Sequence, residues 1–161
     1  LCYHYKKKLK VIKMSVVIET QMLIRKPVAE VFNAFIDPEI TSKFWFTSST
    51  GQLIENKSVD WYWEKYDVTT SVLVEQMINN ELIQIIWGEP KTTVDFIFEK
   101  IAEQETYLRI RDYDIPLEGS ALIAFIIDHT AGFTTVLDGC KAYLEYGALL
   151  NLVDDKFPPF V

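Results

Sequence analysis

The residues from Asp128 to Gly147 carry an apolar side chain at nearly every third or fourth position. In an α-helix this spacing puts the apolar side chains on one face and leaves the polar ones on the opposite face. The residues on the apolar face are Phe133, Val136, Leu137, Cys140, Tyr143, Leu144 and Gly147. Because such a helix must bury that face against another element, it limits the fold to architectures with a large apolar partner surface.

Three glycines, Gly132, Gly139 and Gly147, lie on or beside the apolar face of this predicted helix. Glycine within a helix costs about 1 kcal/mol relative to alanine, so each position needs a structural reason. One reason is a close approach of the helix backbone to a sheet. The other is a space between helix and sheet, which would form a ligand cavity. The sequence leaves both open, and our prediction for Gly139 is the cavity.

The composition describes a globular protein. The 161 residues, of which 49% are apolar, fit one domain that buries about 70% of its unfolded surface. The net charge of −7 argues against nucleic acid as a partner, because its phosphates would be repelled. The longest apolar runs, Ala121 to Ile127 and Leu82 to Trp87, are shorter than the about 20 residues of a membrane-spanning helix. We therefore predict no membrane span.

The first thirteen residues differ from the rest of the chain. They contain five lysines and no acidic residue, and they precede Met14, the first methionine. They lack the apolar stretch of a secretory signal peptide. We therefore expect residues 1–13 to be a basic leader, Met14 to be the natural start, and residues 14–161 to form a single domain. The alternative is a basic arm that binds nucleic acid or a membrane.

From Ser15 onward the pattern predicts the order of elements. Residues 16–25 alternate as a strand, Pro27 begins a helix, and residues 39–46 form a second short helix. From Gly51 to Tyr113, short alternating runs separated by turn residues predict an antiparallel meander with one apolar face. Only the long helix is large enough to cover that face. We predict an α+β helix-grip fold, in which a curved antiparallel sheet of six to seven strands wraps around the long C-terminal helix, with two short helices after the first strand.

The alternation also predicts which side chains face the long helix. The residues expected on the apolar face of the sheet are Val59, Trp61, Val72, Val74, Val94, Phe96, Leu108 and Ile110. Residues of the opposite parity, such as Asp60, Asp95 and Arg109, are expected to face water. A shift of the register by one residue would exchange the two sets.

Several segments together resemble a known superfamily. They are Gly132 to Glu145, Pro27 to Phe32 followed by Asp37 to Glu39, Trp61 to Trp63 ahead of Tyr66-Asp67, and Trp87 at the end of a strand. Over roughly residues 16–150 they resemble the START/Bet v 1-like superfamily (SRPBCC), in the branch named for the activator of Hsp90 ATPase. The resemblance implies a helix-grip fold whose apolar pocket holds lipids, sterols, polyketides or other hydrophobic molecules in relatives. It also implies that a few relatives are enzymes, such as cyclases, and that the eukaryotic namesake acts by contact with Hsp90.

Motifs for catalysis and metal binding are absent from the sequence. There is no Gly-x-Ser-x-Gly, no phosphate-binding glycine loop and no His-Glu-x-x-His. The two histidines, His4 and His129, and the two cysteines, Cys2 and Cys140, lack the spacing of metal ligands. We predict no metal, no cofactor and no catalytic residue, and we expect the cysteines to be free thiols in a reducing cytoplasm.

Asp128 and His129 could form an acid/base pair at the start of the predicted helix. Adjacent residues of a helix do not face each other, however. We therefore expect Asp128 or Thr130 to cap the helix and His129 to pack or to be solvated.

The candidate ligand-binding residues are large aromatic residues and the helix residues around Gly139. They are Trp45, Trp61, Trp63, Trp87, Phe96, Phe98, Phe133, Val136, Gly139, Cys140 and Tyr143. The alternative for each aromatic residue is ordinary core packing. Three functions remain open: binding of a small hydrophobic or amphipathic ligand without catalysis, a protein-interaction or stress-associated adaptor, and a cyclase-like enzyme. We expect a cytoplasmic monomer or weak dimer that binds a small hydrophobic ligand or a protein partner, but no nucleic acid and no membrane.

Overall fold

The computed structural model of the protein describes residues 15–158. The predicted leader, residues 1–13, and Met14 lie outside this range. In chain order the elements are β1 (Ile18–Ile24), α1 (Val28–Ile36), α2 (Pro38–Thr41), β2 (Ser48–Ser49), β3 (Ser58–Trp63), a single 3-10 turn (Glu64–Tyr66), β4 (Val68–Ile78), β5 (Leu82–Trp87), β6 (Thr92–Ala102), β7 (Glu105–Tyr113), α3 (Gly119–Tyr146) and α4 (Leu152–Asp155).

The seven strands form one antiparallel sheet in the order β1-β7-β6-β5-β4-β3-β2. Neighbours in the meander from β3 to β7 pair with each other, and β1 completes the sheet by pairing with β7 through Thr20 opposite Ile110. The long helix α3 packs against β1 and covers the apolar face of the sheet. The α+β helix-grip fold with two short helices after the first strand is confirmed.

The predicted register of the sheet is also confirmed. All eight side chains expected on the apolar face are buried in one core, whereas Asp60 and Arg109 are partly exposed. Asp95 has the outward parity but is only 8% exposed, and its Oδ1 accepts hydrogen bonds from Gln84 (2.9 Å) and Tyr113 (3.2 Å). The outer face of the sheet therefore also has a buried polar cluster, which alternation alone does not predict.

The two short helices bring aromatic side chains under the sheet. Phe35 from α1 contacts Phe44 and Phe96 with ring centroids 5.4 and 5.3 Å apart, and Trp45 contacts Trp61 at 4.7 Å. Such edge and tilted ring contacts add to the stabilisation that burial of each ring provides. The segment after α2 thus fixes Trp45 against the sheet, at the position where the cavity described below begins.

Helix α3 begins at Gly119, earlier than the predicted start at Asp128. Residues 120–127 are almost entirely apolar, so they lack the alternation of faces that predicted the later part of the helix. The prediction that Asp128 or Thr130 caps the helix is therefore wrong, because both lie within it and Glu118 is the N-cap. The helix ends at Tyr146, and Gly147 takes the left-handed conformation (φ +64°) that glycine adopts without strain.

Within residues 15–158, α3 is long and apolar enough to cross a membrane by length and composition alone. The length of the apolar runs did not predict this long apolar helix, because Asp128 and His129 interrupt the run in the sequence. In the fold the second half of α3 serves as the core helix, with Phe133, Val136 and Leu137 at most 3% exposed. In the first half, Ile123 and Ile127 remain 60% and 66% exposed.

Candidate functional site

An apolar cavity of about 230 Å³ lies beside α3, between the sheet and the segment after the helix. Its walls come from aromatic residues of the sheet, of the α2–β2 connection and of the 3-10 turn, from one face of α3, and from the segment after α3. The lining residues are Trp45, Trp63, Tyr66, Trp87, Asp128, His129, Gly132, Phe133, Thr135, Val136, Val153, Lys156 and Phe157. Pockets for drug-sized ligands measure about 300–1,000 Å³, so this cavity suits a small ring compound better than a sterol.

Five of the predicted ligand-binding residues line this cavity: Trp45, Trp63, Trp87, Phe133 and Val136. Ring contacts link them, with Trp87 centred 5.7 Å from both Trp45 and Phe133. The side chains come from the α2–β2 connection, β3, β5 and α3, so the cavity forms where these elements meet. Their role in ligand binding remains a prediction.

The other six predicted residues are not in the cavity wall: Trp61, Phe96, Phe98, Gly139, Cys140 and Tyr143. Trp61, Phe96 and Phe98 are at most 3% exposed and belong to the solid core. Cys140 is fully buried, and burial raises the pKa of its thiol far above the ordinary value of 9.0. The surroundings of these residues therefore match ordinary core packing, the alternative to ligand binding.

The glycine that opens the cavity is Gly132, not Gly139. A Cβ added at Gly132 would meet no atom within 4 Å, and Gly132 lines the cavity. At Gly139 an added Cβ would lie 3.1 Å from the Cβ of Phe44 and 3.3 Å from its carbonyl oxygen. The space predicted beside Gly139 is therefore occupied by the chain after α2, and glycine is needed there for close packing. A small polar depression of about 150 Å³ that includes Gly139 is lined by residues 42–47 and 150–154, and it shares Trp45 and Val153 with the cavity wall.

The segment after α3 closes one side of the cavity. Gly147 turns the chain back, and Val153, Lys156 and Phe157 join the cavity wall. The hydroxyl of Tyr66 donates a hydrogen bond to the carbonyl oxygen of Val153 at 2.6 Å, and the ring of Tyr66 meets Phe157 edge-on at 6.4 Å. Tyr66 thus holds the segment after α3 over the cavity.

His129, which is part of the cavity wall, forms a polar pair with Asp112 of β7. The Nδ1 of His129 lies 2.6 Å from Oδ2 of Asp112, whose side chain is completely buried on the core face of β7. The ring of Phe125 stacks on the imidazole, with centroids 3.6 Å apart. The prediction for His129 considered only its neighbour Asp128, which is exposed. The one signal in the sequence was the alternation in β7, which puts Asp112 on the same face as Leu108 and Ile110.

Metal ligands do not cluster in the described part of the chain: residues 15–158 contain no group of three or more His, Cys, Asp or Glu side chains placed to hold an ion. A wider depression, open to solvent, is lined by Val28, residues 78–82, Asp95 and residues 97–100, and it shares no residue with the cavity. The polar pair and the aromatic rings make the cavity beside α3 the best candidate site.

The fold and the cavity define a helix-grip protein of the START/Bet v 1-like class. Residues 25–145 match the family described as Activator of Hsp90 ATPase homolog 1-like protein. Because this match covers most of the chain, the protein belongs to that family. The fold of this family generally binds hydrophobic ligands.

Solved structures share the helix-grip fold. The protein SSP2350 from Staphylococcus saprophyticus is 28% identical, with a TM-score of 0.73, over 84% of this chain and 96% of that one. The Aha1 dimer from Colwellia psychrerythraea, solved in solution, is 17% identical with a TM-score of 0.70, over 82% and 98% of the two chains. DynU16, a putative protein of the dynemicin biosynthetic locus, is 19% identical with a TM-score of 0.72, over 83% of this chain but 48% of DynU16. No match was found among curated proteins.

Proposed function

We propose that this protein binds a small hydrophobic or amphipathic molecule, without catalysis, in the cavity beside α3. The observation that carries the proposal is the open space at Gly132, where the absence of a side chain leaves a volume walled by Trp45, Trp87 and Phe133. Packing alone would favour alanine or a larger residue here, because glycine lowers helix stability by about 1 kcal/mol. A free, buried Cys140 suits a cytoplasmic location, which we include in the proposal.

A binding experiment with a filled cavity tests this function. The probe is N-phenyl-1-naphthylamine, an uncharged dye that fluoresces in apolar surroundings. In Gly132→Leu the new side chain occupies the cavity, so the affinity should fall about tenfold or more, as expected from a loss of about 1.4 kcal/mol of contact. The matched control is Gly51→Leu, since an added Cβ at Gly51 also meets nothing within 4 Å and Gly51 lies outside the cavity.

Equal affinity of the Gly132→Leu and Gly51→Leu variants would contradict the proposal. Native mass spectrometry of the purified protein provides an independent measurement of any molecule that remains bound. A retained molecule that is lost from Gly132→Leu but kept in Gly51→Leu would identify the ligand and support the site.

A second candidate function is contact with another protein through the first half of α3. Ile123 and Ile127 are 60% and 66% exposed on this apolar stretch, and exposed apolar patches mark interaction surfaces. A relative of the same fold has been solved as a dimer in solution, so a second copy is the partner that we propose. Sedimentation velocity should show a concentration-dependent dimer that Ile127→Asp abolishes. A monomer at all concentrations would exclude self-association. Addition of Hsp90 to the same sedimentation experiment tests the adaptor function separately.

A further inference from the structure

The core face of the sheet becomes polar where it meets the middle of α3. Asp112 is paired with Val94 across β7 and β6, and Thr92 lies on the same face two residues before Val94. Thr92 in turn is paired with Trp87 of β5. Among residues 15–158, Oδ1 of Asp112, Oγ1 of Thr92 and Nε1 of Trp87 are buried and lack a hydrogen-bond partner. Buried polar atoms without partners are costly, so a sheet end that served only packing would be apolar.

His129 connects this polar end to the cavity. It is part of the cavity wall, and its Nδ1 contacts the fully buried Asp112. Phe125 stacks on one face of the imidazole, and Trp87 and Phe133 meet it edge-on at 6.1 and 5.9 Å. Because the ring is held on several sides, the direction of its second nitrogen is fixed before any ligand enters.

The contact with Asp112 also selects the tautomer of His129. An ionised carboxylate only accepts hydrogen bonds, so the proton of a neutral imidazole lies on Nδ1 and the Nε2 atom is an acceptor. Within residues 15–158, Nε2 makes no hydrogen bond and is not buried. His129 therefore brings an acceptor of fixed direction to a wall whose other polar side chains include Asp128, Thr135 and Lys156.

We propose that Nε2 of His129 anchors the hydroxyl group of a planar phenolic or enolic ligand. This inference rests on the proposed binding function and specifies the ligand class. The aromatic walls fit a flat ring, the volume of about 230 Å³ fits one or two rings, and His129 accepts the hydrogen bond from the ring hydroxyl. Asp112 is a positioning residue, which holds the tautomer without touching the ligand.

Two ligands that differ by one hydrogen-bond donor test the proposal. 7-Hydroxycoumarin and 7-methoxycoumarin share the bicyclic ring, but only the first can donate a hydrogen bond. Fluorescence titration of the full chain should give about fivefold tighter binding of the hydroxyl compound, the gain of one net hydrogen bond. In His129→Phe, which keeps the stacking on Phe125 but has no acceptor, the two compounds should bind equally.

The outcomes separate this inference from the binding function. If both compounds bind the unaltered protein equally, the role of His129 is wrong and the hydrophobic site remains. If the hydroxyl preference persists in His129→Phe, the preference has another cause and the role of His129 is again wrong. If neither compound binds but N-phenyl-1-naphthylamine does, the anchor is overturned and the binding function stands; if none of the three binds, both are overturned.

A measurement on the unaltered histidine keeps the test independent of how well His129→Phe folds. In ¹⁵N NMR of the His4→Gln protein, where His129 is the sole histidine, the Nε2 resonance should shift when 7-hydroxycoumarin is added. It should not shift in the same way with 7-methoxycoumarin. The same response to both compounds would show that His129 is only a structural link between β7 and α3.

Discussion

The backbone of Gly139 lies directly against Phe44, so that a Cβ built on Gly139 would be 3.1 Å from the Cβ of Phe44. The carbonyl oxygen of Phe44 is nearly as close, at 3.3 Å, and both residues are buried. This contact joins the second half of α3 to the chain after α2. Gly132, on the same helix, has no neighbour of this kind.

We predict that Gly139→Leu is destabilised by about 1–3 kcal/mol, because overpacking forces Phe44 to move. Better helix propensity offsets up to about 1 kcal/mol of this loss. Gly132→Leu is the matched control, and its stability should stay the same or rise as the side chain fills the cavity. Urea unfolding followed by circular dichroism measures both. A Gly139→Leu variant as stable as Gly132→Leu would show that the chain near Phe44 is not closely packed.

We predict that Tyr66→Phe loosens the segment after α3 that lies over the cavity. The lost bond to the carbonyl oxygen of Val153 contributes about 0.5–1.5 kcal/mol. Hydrogen exchange by mass spectrometry should become faster in residues 151–157 and stay unchanged in the sheet. Tyr107→Phe, on the outer face of β7, is the control and should leave exchange of the same peptide unaltered. Unchanged exchange in Tyr66→Phe would mean that packing of Phe157 alone holds this segment.

We predict that Glu145 makes the stability depend on pH. Burial of its carboxyl acts to raise the pKa. Hydrogen bonds from Lys141 (2.6 Å) and the backbone N–H of Arg25 (2.7 Å) lower it by more, so the pKa of Glu145 lies below the ordinary value of 4.5. Because the folded pKa is below the unfolded one, this stabilisation is present above pH 4.5 and is lost as the pH falls through the folded pKa. Glu145→Gln should therefore be about 1–2 kcal/mol less stable at pH 7. Plotted against pH, the free energies of unfolding of the variant and of the unaltered protein should become equal in acid.

The control for Glu145 is Glu103, which makes a similar contact with a lysine at the surface. Its carboxylate lies 2.6 Å from Nζ of Lys100, and this hydrogen bond lowers its pKa as well. The side chain is 87% exposed, so solvent screens the pair. Glu103→Gln should show no measurable change in denaturant unfolding at any pH between 3 and about 7. A pH dependence that is equal in both variants would show that the hydrogen bonds of Glu145 with Lys141 and Arg25 are not the cause.

We predict that Cys140 does not react with Ellman's reagent in the folded protein. Burial raises the pKa of its thiol far above the ordinary value of 9.0, so the reactive thiolate is scarce, and the side chain is inaccessible. The Cys2→Ser protein, which retains Cys140 alone, should react fully only in urea. A cysteine placed in the cavity wall by Thr135→Cys should react in the folded state. Rapid reaction of Cys140 would return this residue to the candidate site.

The sequence by itself determined the faces of the elements. Alternation along β3 to β7 and the helical spacing after Phe133 are properties of single segments, since a strand repeats every two residues and a helix every 3.6. These periods predicted the apolar face of the sheet and the buried stripe of α3. They failed for Ser120 to Ile127, because a segment that is apolar on all sides has no period to read.

Only the tertiary structure decided which residues form the site. The contact of His129 with Asp112 joins α3 to β7, and the approach of Gly139 to Phe44 joins α3 to the chain after α2. Such contacts depend on where two elements meet and at what distance, and neither period contains that information. For the same reason Trp61 and Trp63, two residues apart on one strand face, have different surroundings: the first lies in the core and the second lines the cavity.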